Sequence, residues 1–137
     1  ASRYSGTLGS GHDFSSAWFL DLAGDDHYRL VPRAGGTGNA SGFGAFVDAS
    51  GTDTYEADGA FPLGNASIET PGDALRGRIG TLAFFLERGG ADLYTRDPMA
   101  PIANDATWTQ ELHTGQNEHG AGVDRATGTL GVPAFEP

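Results

Sequence analysis

At 137 residues the chain suits a single domain, 1–137, long enough to bury a core without covalent staples. It has no cysteine, which excludes a disulfide framework and any cysteine-based zinc site. The net charge is -10 and all eight basic residues are arginine, so there is no basic stripe of the kind that nucleic acid requires, and cations are the better partners. The most apolar run, LAFFL at 82–86, is far too short to cross a bilayer, so no membrane insertion is expected. The sequence begins at Ala1 without a methionine and shows no signal peptide, which fits a processed secreted protein or a trimmed fragment. An extracellular or cell-surface location is the expectation.

In chain order, the first predicted element is an apolar strand that runs into Asp21, turns at Gly24 and resumes as a strand carrying Asp26 and Tyr28. The stretch FLDLAGDDHY, 19–28, returns as FVDASGTDTY at 46–55 and as FLERGGADLY at 85–94. Asp21, Gly24, Asp26 and Tyr28 thus correspond to Asp48, Gly51, Asp53 and Tyr55, then to Glu87, Gly90, Asp92 and Tyr94, at steps of 27 and 39 residues. Glycine suits each turn because it reaches positive φ without steric cost, and the alternation around Asp-x-Tyr is the period of a strand. A second landmark, GNAS, occurs at 38–41 and again at 64–67. The extra residues before the third copy, ETPGDALRGRIG, read as a loop inserted at about 68–80, and a degenerate fourth copy follows near 119–128 in HGAGVDRATG. No window of a dozen residues carries a clean helical stripe, so little helix is expected. Repeat motifs near 18–29, 45–56 and 84–95 predict an all-β fold, a parallel β-solenoid of about 27-residue coils. The alternative is an antiparallel hairpin-based sandwich or propeller fragment.

Parallel stacking would set equivalent carboxylates about 4.8 Å apart, where each pair repels by roughly 3.5 kcal/mol at an effective dielectric of 20. Two devices offset that repulsion. Each Asp can cap its own turn by accepting backbone N–H groups, or the stacked carboxylates and turn carbonyls can hold Ca²⁺, which takes six to eight oxygen ligands.

AGDDHY, SGTDTY and GGADLY resemble the glycine-aspartate turns of RTX-type calcium-binding β-roll repeats, although those recur every nine residues and only the third copy here has the doubled glycine. The resemblance implies a secreted bacterial G-x-D-x-Y repeat protein with metal-binding turns. Carried over by position, the implied metal residues are Asp21, Asp26, Asp48, Asp53, Glu87 and Asp92, with Asp25 as an extra carboxylate beside the first turn.

Other clusters read as less specific. QELHTGQNEHG, 110–120, gathers Glu111, His113, Glu118 and His119, but not at a zinc spacing, and a solvated loop is expected. His12, Asp13, Ser15 and Ser16 have the residue types of a hydrolytic triad without evidence of its geometry. Asn39 and Asn65 head two sequons whose recurrence fits a turn role. No catalytic set or nucleotide-binding motif stands out, so the expected function is an extracellular structural or assembly protein, calcium-stabilised, that associates with itself or a larger partner through open β edges, for example into filaments. The alternative is a carbohydrate-binding or carbohydrate-active module in which Trp18, Trp108 and the tyrosines stack on polysaccharide and two separated carboxylates cleave a glycosidic bond.

Overall fold

A computed structural model describes residues 7–57, 63–68, 74–95, 102–111, 113 and 116–127. The apolar run ahead of each acid forms a strand, because alternate side chains find a core on one face and the residues between them can face outward. In chain order the strands are β1 (Gly11–His12), β2 (Ser16–Asp21), β3 (His27–Leu30), β4 (Gly38–Asn39), β5 (Phe43–Asp48), β6 (Thr54–Ala57), β7 (Ala66–Ser67), β8 (Thr81–Arg88), β9 (Leu93–Thr95), β10 (Thr107–Thr109) and β11 (Glu118–Arg125). A single 3₁₀ turn, Arg76–Arg78, is the helical element among the described residues.

The strands make three sheets. The largest has the order β10-β11-β8-β5-β2, with β2, β5, β8 and β11 parallel and β10 antiparallel at its edge. The other two, β3-β6-β9 and β1-β4-β7, are parallel throughout. These separate sheets do not close into a barrel or solenoid, which corrects the expectation of a β-solenoid. The physical reason lies in the connections. Successive rows of the large sheet are 27, 39 and 37 residues apart rather than a uniform 27. In the last row the chain turns back as antiparallel β10, and only an isolated bridge, Ala66 to Glu111, extends the smallest sheet. The hairpin sandwich or propeller is overturned too, since nearly all pairing is parallel. The segment read as an inserted loop lies partly outside the described residues, at 69–73.

Register decides the packing. Phe19, Phe46 and Phe85 occupy one inward row of the large sheet and stack with ring centroids 4.8 and 5.1 Å apart. Tyr28, Tyr55 and Tyr94 form a second stack on the β3-β6-β9 sheet, at 5.2 and 5.1 Å. The two columns meet edge to face, as in Tyr28 against Phe46 and Tyr55 against Phe85, both at 5.1 Å. Such pairs add about 0.5–1.5 kcal/mol each beyond the area they bury. A neighbouring row, Ala17, Gly44, Ala83 and Gly120, is small because the third sheet passes so close: a Cβ on Gly44 would lie 2.0 Å from the Thr37 carbonyl oxygen.

The landmark glycines shift by two residues relative to the GNAS alignment. Gly38 pairs with Ala66, not Gly64. The true equivalents are Gly9, Gly36 and Gly64, at φ of 79°, 75° and 79°, each pressed against a carbonyl of the large sheet: Ala45, Phe84 and Ala121. Only glycine fits both the backbone conformation and the contact.

The fourth row lacks a phenylalanine, since Gly122 stands where Phe85 would repeat. Trp108 fills that space from β10, lying against Gly122 and 5.8 Å from the Phe85 ring, with its indole N–H donating to the Leu63 carbonyl at 3.1 Å. Trp108→Ala is expected to cost about 3–5 kcal/mol, the usual loss for a buried aromatic, read as a lower urea midpoint at unchanged slope. A loss below about 1 kcal/mol would show that the ring does not close this end of the core.

Candidate metal centre

Two columns of acids run along the corner between the large sheet and the β3-β6-β9 sheet. The first ends the strands: Asp21 pairs with Asp48, Asp48 with Glu87, and Glu87 with Asp124. The second lies in the turns that follow, at Asp26, Asp53 and Asp92.

The turn column is a hydrogen-bonded ladder. The Asp26 N–H donates to Asp53 Oδ1 at 2.7 Å, and the Asp53 N–H donates to Asp92 Oδ1 at 2.7 Å. The Asp92 N–H donates to Asn104 Oδ1, a neutral residue that closes the ladder. Asp25 works alongside, accepting from the Thr52 N–H at 2.9 Å while its own side chain stays exposed.

In the strand-end column, most acids also have donors. Asp21 accepts from the Ala23 N–H and from the Tyr28 hydroxyl at 3.0 Å. Asp48 accepts from the Ser50 N–H, and the same Tyr28 hydroxyl lies 2.8 Å from its other oxygen. Asp124 takes the Tyr94 hydroxyl at 2.5 Å and the Asp105 N–H at 2.9 Å.

Glu87 departs from this pattern. It is fully buried, and neither of its oxygens receives a protein donor. Its would-be partner, the buried Tyr55 hydroxyl, is also unpaired, as are Asp53 Oδ2 and Asp92 Oδ2. Asp53, Glu87 and Asp92 each bring one carboxylate oxygen to within 4.8 Å of the others. Glutamate matters here: its extra methylene carries the carboxylate from the strand-end column toward the turn column, which the shorter Asp48 does not reach in the same way.

The electrostatics follow from burial among like charges. Loss of water raises the Glu87 pKa to about 10, reinforced by Asp92 and Asp124. Both neighbours are acids, so a hydrogen bond between Glu87 and either one requires a proton on one of the pair. Desolvation also raises Asp53 to about 6, against the lowering effect of the Asp26 N–H, and raises Asp92 and Asp48 above the usual carboxylate range. The tyrosine hydroxyls are pushed up by burial and by the same acids, so they remain protonated.

Of the seven residues read as metal ligands, Asp53, Glu87 and Asp92 converge. Asp21, Asp25 and Asp48 instead accept hydrogen bonds from turn amides or from Tyr28, as turn-capping acids do. Asp26 sits at the open end of the ladder. Asp124 is not among those seven, although the degenerate fourth copy contains it. A surface hollow of ≈ 380 Å³ lies near this corner, lined by Ala49, Ser50, Arg88, Gly89, Ala126 and Thr127, with none of the converging carboxylates in its wall.

The remaining clusters are structural. Ser15 Oγ bonds the backbone of His12 rather than its ring, so no triad forms. The loop reading of 110–120 fails at Glu118, which opens β11 fully buried and accepts from the backbone N–H groups of Ile68 and His113. Asn39, in β4, and Asn65, just ahead of β7, are both buried. Trp108, also buried, presents no face to a sugar. No protein-family model matches the chain, and no curated protein or solved structure shows significant similarity to it.

A carboxylate whose folded pKa lies above its unfolded value binds more protons when folded, so stability falls as pH rises between the two values. For Glu87 that window runs from the ordinary 4.5 to about 10. In chelator, the urea midpoint is therefore expected to drop from pH 5 to pH 8, with a slope of at most about 1.4 kcal/mol per pH unit for each proton. Glu87→Gln should flatten that slope and raise stability at pH 8. A midpoint that is independent of pH in the unmodified protein would refute this account of the centre.

Proposed function

We propose that the chain is a structural β module whose acidic corner is closed by one divalent cation, with Ca²⁺ the fitting ion. The observation that carries this reading is the convergence of Asp53, Glu87 and Asp92, each with one carboxylate oxygen within 4.8 Å of the others, in a corner where Asp53 Oδ2, Tyr55 Oη, both Glu87 oxygens and Asp92 Oδ2 are buried without a donor. All are hard oxygen donors, which suit Ca²⁺ rather than a softer metal. Oxygens on opposite sides of a Ca²⁺ bound at 2.3–2.6 Å lie up to about 5 Å apart, which matches a set gathered within 4.8 Å. A site with three carboxylates and no positive charge among the main influences on Glu87 gains most from a cation. The setting that suits this module is extracellular, where calcium modules work at Kd values of about 10⁻⁴–10⁻³ M.

The test is calorimetric titration of chelator-stripped protein with Ca²⁺, paired with thermal melts. One ion per chain is expected, with stability raised by about 2.7 kcal/mol when the free ion reaches 100 times Kd. Glu87→Gln and Asp92→Asn should remove the effect, and Asp21→Asn should keep it. Melts that match in calcium and in sodium at equal ionic strength would reduce the aspartates to turn caps.

A further inference from the structure

The columns end differently at the two ends of the sheets. At the C-terminal end, residues from outside the repeat complete each one. Trp108 supplies the ring missing at Gly122, Asn104 Oδ1 accepts the last N–H of the turn ladder, and β10 covers β11 as an antiparallel edge.

At the N-terminal end, nothing comparable is present among the described residues. β1, β2 and β3 each have one hydrogen-bonded neighbour. Phe19 ends the phenylalanine stack, half-buried, with Phe46 on one side of its ring. The Asp26 carboxylate, counterpart of the two that accept an N–H from the row before, receives none. Beside this edge Trp18 is 70% exposed, Leu20 63%, Leu22 68% and Phe14 48%. An uncovered edge with apolar flanks is a template for a further strand.

We infer that this edge docks an extended segment of another molecule that adds a row in parallel register and carries the chain's own chemistry: an aromatic residue two positions before an acid, then Asp-x-Tyr. Each part has a place. The aromatic ring would continue the stack on Phe19, and the backbone N–H at the Asp position would satisfy Asp26. The tyrosine hydroxyl would reach Asp21 as Tyr28 reaches both Asp21 and Asp48, offsetting the repulsion between the two acids. Affinity comes from the main chain and specificity from alternate side chains, as in β-augmentation generally.

A second copy joined edge to edge fits less well. An isologous contact between identical edge strands runs antiparallel, so it cannot extend the parallel columns of aromatic and acidic residues by a further row. At the far end of a copy β10 closes the large sheet, which leaves β9 as a parallel edge with no open strand beside it to receive β2. This inference goes beyond the cation reading and does not rest on it.

The probe is a synthetic peptide with the sequence of the chain's second row, SGFGAFVDASGTDTYEA, residues 41–57. A scrambled peptide is the control, and binding to the full chain is followed by Trp18 fluorescence, sedimentation and amide hydrogen exchange. One peptide per chain is expected, with slowed exchange confined to the edge strands Ser16–Asp21 and His27–Leu30. Leu20→Lys changes an exposed side chain, so folding should survive, and affinity should fall about tenfold or more. Equal binding of the scrambled peptide, no protection at about 1 mM peptide, or a chain dimer that excludes the peptide would each overturn the inference.

Discussion

Parallel register imposes one constraint on which the rest of this structure turns: it stacks each carboxylate on its own counterpart. At a strand spacing of about 4.8 Å and an effective dielectric of 20, each neighbour contact costs roughly 3.5 kcal/mol. The strand-end column holds four acids, three of them at most 1% exposed. A fold that repeats this motif has to neutralise the column row by row, and it does so with unlike devices. The tyrosine two residues after each turn aspartate is one of them. Its ring builds the core, and its hydroxyl reaches back across the corner to the acids, as Tyr28 does to Asp21 and Asp48 and Tyr94 does to Asp124.

That double role explains why the motif keeps tyrosine where phenylalanine would pack equally well. It also isolates the third row. Tyr28 serves the first two acids and Tyr94 the fourth, while Tyr55, between them, leaves Glu87 unserved. An unpaired buried carboxylate costs several kcal/mol unless it takes up a proton or a counter-ion. The substitution of Glu for Asp at this one copy therefore does more than vary a ligand. In its row the amide equivalent to the Ser50 N–H, that of Gly89, donates to the Arg125 carbonyl, and the Glu87 carboxylate lies near Asp53 and Asp92 instead.

Much of this was legible in the residue order and some was not. The alignment of Asp21, Asp48 and Glu87, and of their tyrosines, holds residue for residue in the pairing registers. In the segment of the weak fourth copy, Asp124 stands opposite Glu87 in β11. The uniform 27-residue coil fails because strand pairing sets the register of each row, while the connections between rows are free to differ in length. GNAS misled for a related reason. Its two copies match as letters, yet the close contact with the large sheet requires glycine at 9, 36 and 64, and that is what aligns the chain. The caps escaped notice because Asn104 and Trp108 resemble nothing in the repeat; they substitute for aspartate and phenylalanine by shape and hydrogen bonding, not by sequence.

A proton and a cation are the two remedies available to the third row, and they are not equal in reach. One proton on Glu87 supplies one donor, enough for a single bond to Asp92 or Asp124, and it leaves the second Glu87 oxygen and Asp53 Oδ2 as they were. Nor does a proton collect oxygens from three directions. A divalent cation draws in six to eight of them and carries the charge that three carboxylates lack. The two remedies also compete, since ligation requires the carboxylate form. Burial among like charges therefore makes this corner tolerant of protons when metal is scarce and receptive to metal when it is present. The same features that make the third row the least satisfied part of the folded chain make it the part with most to gain from an ion.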